Sequence, residues 1–477
     1  MPVTLAIDFG STYTKVVALD TQAGLLLGVA QAPTTVATDI NFGLDEALRR
    51  LERICGIRRG DVSTKVASSS AAGGLRMVAI GLVPDLTAQA ARLAALGAGA
   101  KILKVYSYQL TSSDLREIAQ IAPDMIMLAG GTDGGDSKTL LSNARALAQL
   151  APPAPIVVCG NRAVSDEALA SLLAAGCTAT VVENVLPELG RINVDPARAE
   201  IRRIFMERIT HAKGLDRAQA YVGQIVMPTP MAVLEAARIL AEGAPGEQGL
   251  GELVVVDVGG ATTDVHSAAR GMPTNPRMIP RGIPEPYTKR TVEGDLGVRI
   301  NAPTIAEHAG MQQLASIFPT GFSADECTRH IERLARETDY VPQHEWEHEV
   351  DAGLAGIAVE LAMMRHAGTV ETIYTPEGPV QVLHGKDLTA VETVVATGGV
   401  FAYGHLGHRI LGKAAFDEAK PISMRPRAPA CLVDSRYILF AMGLIAPLAP
   451  AAAVHIMKQH LVGMKAAPAP VLADSAA

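Results

Sequence analysis

Asp8, Gly10, Ser11, Thr12 and Lys15 stand together near the start of the chain, and Asp257, Gly259, Gly260, Thr262, Thr263 and Asp264 stand together near its middle. In each cluster the glycines let the backbone turn sharply and bring N–H groups against an anion, and the hydroxyls add donors. The aspartates suit Mg²⁺ or its waters beside that anion, because magnesium takes oxygen ligands and keeps part of its water shell. Lys15 adds a fixed positive charge. Short apolar strands ending in Asp-x-Gly arise by chance, so one such loop would say little. Two of them, roughly a domain apart, predict phosphate chemistry with Asp8, Lys15 and Asp257 at its centre and Asp8, Asp257 and Asp264 as metal donors.

These loops need strands to carry them. Residues 253–256 form an apolar run that fits a strand buried on both faces, and residues 5–7 repeat the pattern before Asp8. A third strand, 388–396, leads into Gly398 and Gly399, where a glycine pair again lets backbone approach a ligand. From 69 to about 216 the texture changes to short apolar strands alternating with helices. Strands are expected at 75–82, 100–105, 125–128, 155–159 and 179–182, with helices at 86–95, 114–120, 138–150 and 165–175. Such alternation predicts a parallel sheet.

DFGSTYTK, DVGGATTD and the later glycine pair, in that order, resemble the ATPase fold shared by actin, hexokinase and the heat-shock chaperones. Within it the chain is most similar to the glutamate mutase accessory proteins, the MutL family, relatives of reactivating factors for adenosylcobalamin enzymes. That likeness is carried by residues 128–135, 291–298, 365–368 and 434–439. The resemblance implies an α/β, two-lobed actin-like ATPase fold with an inserted doubly wound α/β domain. It divides the chain into a first lobe at 1–66, the insertion at 67–216, a connecting helix at 217–250 and a second lobe at 251–477. The second lobe would carry a helical insertion at about 300–370 and closing helices at its end.

The resemblance also implies ATP/ADP and Mg²⁺ as ligands and the subunits of an adenosylcobalamin-dependent mutase, glutamate mutase first, as partners. Gly10, Ser11, Thr12, Gly259, Gly260, Thr262 and Thr263 would grip phosphates, and Gly398 and Gly399 would approach the adenosine. In relatives a carboxylate or amide before the connecting helix orients the attacking water; here Gln224 and Thr229 are the candidates, and no acidic residue occupies that turn. The insertion follows the order of a cobalamin-binding domain but lacks Asp-x-His-x-x-Gly, so it is expected to imitate or contact such a domain. A small-molecule kinase and a filament-forming ATPase are the competing classes. Self-association stays open.

Other features narrow the field. A length of 477 residues suggests about two to four domains. With a net charge of −7 and no basic block, neither nucleic acid nor an anionic membrane is an expected partner. The five cysteines lack CxxC spacing and read as reduced thiols of a cytoplasmic protein. No secretory leader precedes the first strand. Pro447 and Pro450 break the apolar stretch 438–456, which reads as buried helices rather than a membrane span. His344-Glu345-Trp346-Glu347-His348 matches H-E-x-x-H but has no third ligand at family spacing. The glycine loop 130–135 is either a ligand loop or a tight turn. Glu293, Asp295 and Arg299 are expected at ribose or a partner, or on a solvated turn. The proline-rich stretch 271–287 is expected to carry no regular element.

Overall fold

The structure is a computed structural model. It describes residues 2–10, 12–35, 39–70, 75–209, 221–222, 225–376, 378–404 and 406–463. In chain order the strands begin with β1 (Val3–Phe9), β2 (Tyr13–Asp20), β3 (Leu25–Pro33) and β4 (Val62–Ser69). β5 (Arg76–Gly81), β6 (Lys101–Ser107), β7 (Met125–Leu128), β8 (Ile156–Val158) and β9 (Ala179–Val181) follow. β10 (Ile225–Pro228) comes next, then the two-residue pair β11 (Gly243–Ala244) and β12 (Glu247–Gln248), and then β13 (Leu253–Val258), β14 (Thr263–Ala268), β15 (Met278–Arg281) and β16 (Thr288–Glu293). The last are β17 (Thr369–Thr375), β18 (Gly378–His384), β19 (Thr393–Thr397), β20 (Ala430–Asp434) and β21 (Leu461–Gly463).

Strand order reveals a duplication. One sheet runs β3-β2-β1-β4-β10, antiparallel through its first three strands and parallel from β1 onward. A second runs β16-β14-β13-β19-β20-β21, again antiparallel through three strands and then parallel from β13 to β20. The same order and sense occurring twice is the two-lobed actin-like ATPase fold. In both sheets the leading hairpin, β1-β2 or β13-β14, carries one of the two Asp-Gly clusters.

A five-stranded, wholly parallel sheet of order β6-β5-β7-β8-β9 lies in sequence between β4 and β10. The five expected strands and the helices Gln89–Gly97, Ser112–Ile121, Lys138–Leu150 and Ser165–Ala174 all appear there. Met77, Ala79, Met125 and Met127 on one face share a core with Leu5, Ile7 and Phe9 of β1, while Val78, Ile80, Ile126 and Leu128 pack a separate core on the other. Strands buried on both faces explain the unbroken apolar runs. The stretch 271–287 differs from expectation, because β15 forms within it and pairs with β18. Pro280 is tolerated there because β15 is an edge strand of the small sheet β15-β18-β17.

The lobes meet over a core of crossing helices. Thr229–Glu242 and Leu439–Ile445 pack Ala232, Ala236, Phe440 and Leu444 between Ala6, Val17 and Leu19 of the first sheet and Leu253, Val255 and Val395 of the second. The apolar stretch 438–456 is therefore the expected pair of buried helices, Leu439–Ile445 and Pro450–His460. No helix among the described residues is long and apolar enough to cross a membrane. At the crossing, a Cβ added to Gly443 would lie 1.7 Å from the carbonyl oxygen of Ala232. Gly443→Ala must push the helices apart, and overpacking of this kind costs about 1–3 kcal/mol. We predict a lower melting temperature for this variant; a melt equal to wild type would show that the crossing has slack.

Candidate functional site

Both hairpins open onto one cleft of about 960 Å³, lined at one end by Asp8, Gly10, Thr12, Lys15, Asp257, Gly259, Gly260, Thr262 and Asp264. The two turns are built alike. Gly10 N–H donates to the Tyr13 carbonyl at 3.1 Å, and Gly259 N–H donates to the Thr262 carbonyl at 2.9 Å. A Cβ on Gly10 would meet the Tyr13 oxygen at 2.5 Å, so this close turn needs glycine. The later glycine pair backs onto the second turn. Gly398 has φ +116, and its missing Cβ would lie 2.3 Å from the Val258 carbonyl oxygen, while Gly399 lines the cleft.

The strand registers put the chemistry in matching places. Asp8 lies across from Lys15 in the first hairpin, and Asp257 lies across from Asp264 in the second. Asp8 is fully buried and well supplied with donors: Lys15 Nζ at 3.1 Å, Ser68 Oγ at 3.1 Å and Thr229 Oγ1 at 2.5 Å. Thr229, a candidate for orienting water, is thus hydrogen-bonded to the Asp8 carboxylate. Ser11 and Gln224 lie outside the described residues.

In the second hairpin two carboxylates face each other where the first has an ion pair. Asp264 is neutralised from the next strand: Arg290 Nε donates to its Oδ1 at 2.8 Å, Arg290 Nη2 forms an ion pair with the same oxygen at 2.5 Å, and Thr262 Oγ1 donates to its Oδ2 at 2.9 Å. Asp257 accepts no side-chain or backbone hydrogen bond among the described residues. Burial first, then the charges of Asp264, Asp8 and Asp434, push its pKa up to about 7 against the pull of Lys15. An undercompensated carboxylate of hard oxygens fits Mg²⁺, which is commonly held by one or two carboxylates together with phosphate and water. No group of three or more His, Cys, Asp or Glu among the described residues forms a metal cage of its own.

Thr263 does not join the cluster. Strand alternation turns it away from Thr262 and Asp264, and its buried hydroxyl donates to the Leu296 carbonyl at 2.7 Å. The trio expected at ribose or a partner divides in the same way. Arg299 lines the cleft and forms a two-pronged pair with Asp351 at 3.1 and 2.6 Å, whereas Glu293 and Asp295 bind Arg365 at 2.7 and 2.8 Å. Away from the hairpins the lining mixes the apolar Val341, Pro342, Ala352, Val400, Leu406 and Ile410 with Asp339, His348 and Asp351. A charged hairpin end joined to apolar surface in one cleft suits a nucleotide.

Two other sequence candidates have structural roles. His344 precedes the helix Glu345–His366, and Glu347 caps that helix by accepting the His344 and Gln343 N–H groups at 3.0 and 2.7 Å. Trp346 of the same motif stacks 4.8 Å from His330. The glycine loop after β7 is tied down by Asn184, which donates to the Gly131 carbonyl at 3.0 Å, and by Asn161, which accepts the Gly134 N–H at 3.0 Å. Arg290 and Tyr437 had no chemical signal in the sequence, although Tyr437 lies in 434–439, one of the stretches that carry the family likeness. Neither stands in a glycine motif, and each reaches the site from an element distant in sequence.

Residues 4–461 match the family model described as MutL protein. Protein MutL of Clostridium tetanomorphum is 46% identical over 459 residues, covering 96% of this chain and 99% of that protein. Among solved structures, component A of the (R)-2-hydroxyglutaryl-CoA dehydratase of Acidaminococcus fermentans shares 9% identity at a TM-score of 0.32 over 96% of this chain and 99% of its own. A xylulose kinase from Lactobacillus acidophilus shares 10% identity at a TM-score of 0.33 over 98% and 93%. Likeness at that level adds nothing to the strand order, on which the fold assignment stands.

Asp257→Ala is expected to leave the fold intact and abolish Mg-nucleotide binding in calorimetry; binding at wild-type strength would refute the assignment. The raised pKa gives a second expectation. Ionising Asp257 is harder in the folded cleft than in the unfolded chain, so wild type loses stability as pH rises from 3.8 through about 7. Asp257→Asn escapes that loss. Its melting temperature should exceed that of the nucleotide-free wild type by more at about pH 8 than at about pH 5. An equal gap at both would show that Asp257 titrates normally.

Proposed function

Because the chain belongs to the MutL protein family, we propose that it is an ATP-binding accessory factor that reactivates an adenosylcobalamin-dependent mutase in the cytoplasm, with glutamate mutase as the first candidate. The observation that carries this reading is the pair of matching hairpins facing one cleft, with charges set for a metal-bound polyphosphate.

On this reading the Gly10, Gly259 and Gly260 turns and the Thr12 and Thr262 hydroxyls hold the β- and γ-phosphates. Lys15 sets a positive charge against them. Asp257, with Asp8 beyond it, would hold Mg²⁺, which when bound neutralises charge on the phosphate oxygens. The apolar surface of the cleft takes the base. Two hairpins from separate sheets share one phosphate chain, so its length decides how firmly the lobes are joined. Binding or hydrolysis thereby biases a hinge at the crossing helices, as any ligand does that prefers one of two states. The parallel sheet, packed against the first lobe, moves with that hinge and offers a surface to the mutase.

The test is recovery of activity by glutamate mutase loaded with an inactive cobalamin and incubated with this protein, Mg-ATP and fresh adenosylcobalamin. Recovery should require ATP and be lost with Asp257→Ala. Failure to recover with a protein that still binds Mg-ATP would reject this partner. Phosphorylation of a small hydroxylated metabolite would instead establish a kinase.

A further inference from the structure

We infer that Tyr437 is the positioning residue for Lys15, holding its ammonium at the phosphate end of the cleft; this rests on the reading of that cleft as a nucleotide site. Lys15 Nζ lies 4.0 Å from the centroid of the Tyr437 ring and 5.6 Å from that of Phe440, and pairs with Asp8 at 3.1 Å. An aromatic face attracts a cation without cancelling its charge. A second carboxylate in that place would leave Lys15 with nothing to offer a phosphate.

The backbone shows that the ring's place is imposed. Tyr437 has φ +55, in the left-handed region that a bulky side chain rarely adopts. Asp434 fixes this turn. Its Oδ1 accepts the Ile438 N–H at 3.0 Å, and its Oδ2 accepts the Leu439 N–H at 3.0 Å and the Thr397 hydroxyl at 2.9 Å. A residue that only filled space would need no such conformation, and glycine would serve the turn better. The turn also has a telling location. It joins β20 of the second sheet to the helix Leu439–Ile445, which packs across to the first, so the ring stands where the chain crosses between lobes.

The experiment compares Tyr437→Gly, which accepts the positive φ while deleting the ring, with Tyr437→Phe, which keeps the ring, each alone and with Lys15→Ala. Two quantities are read: the rate at which an amine-acylating reagent labels Lys15 in nucleotide-free protein, and Mg-ATP affinity by calorimetry. Tyr437→Gly should label Lys15 several-fold faster than wild type and bind Mg-ATP about tenfold more weakly. Tyr437→Phe should match wild type in both. With Lys15→Ala in place, Tyr437→Gly should weaken binding no further. Unchanged labelling in Tyr437→Gly, an equal loss in Tyr437→Phe, or a full tenfold loss beside Lys15→Ala would each overturn the role. If wild type binds no Mg-ATP, the nucleotide reading falls, and the labelling rates still decide whether Tyr437 holds Lys15.

Discussion

Two carboxylates at equivalent positions of two hairpins, Asp8 and Asp257, face a shared cleft, and the surrounding structure answers the problem they pose. Buried like charges repel, and each must be paired, protonated or bound to a cation. Asp8 is paired by Lys15, Ser68 and Thr229. Asp257 is not, because the position that holds lysine in the first hairpin holds Asp264 in the second. The fold duplicates its backbone and leaves its charges unequal. That inequality leaves the cleft with a paired carboxylate and its lysine on one side and an undercompensated carboxylate on the other.

The charge on Asp264 is then carried outward. Arg290, itself buried, donates from Nε to Asp264, pairs with it through Nη2, and donates from Nη1 to the Leu96 and Ala100 carbonyls at 3.2 and 3.1 Å. Leu96 belongs to the last turn of the helix Gln89–Gly97 and Ala100 follows its C-cap Ala98, so the guanidinium sits at the helix C-terminus, where the dipole favours a cation. One guanidinium therefore joins the second hairpin to the parallel-sheet segment. Removing any member would leave a buried charge or carbonyl without its partner, a costlier change than removing a surface ion pair.

The sequence made the backbone legible, and side-chain direction much less so. Both hairpins and all five parallel strands could be read because glycine turns and apolar runs are local signals. The helix Ile40–Cys55 starts where Asp39 caps it by accepting the Asn41 N–H. Thr262 and Thr263 look interchangeable in the sequence, yet strand alternation sends one to the cleft and the other to Leu296. Arg290 and Tyr437 were invisible for a different reason. Their partners, Asp264 and Lys15, are met only after β16 and β20 have taken their places in the second sheet. Strand pairing creates that proximity, and no local pattern announces it.

This difference bears on how the site can move. The phosphate turns are rigid on their own account, each closed by its own N–H to carbonyl bond within one hairpin. Lys15 and Asp264 are held otherwise, by a ring at a crossing point and by a guanidinium reaching into a neighbouring sheet. A change in lobe angle would leave the turns as they are and alter the surroundings of those two charges. The electrostatics of the cleft therefore depend, together with the spacing of its two hairpins, on how the lobes and the parallel sheet sit, because a partner pressing on either changes the surroundings of Lys15 and Asp264.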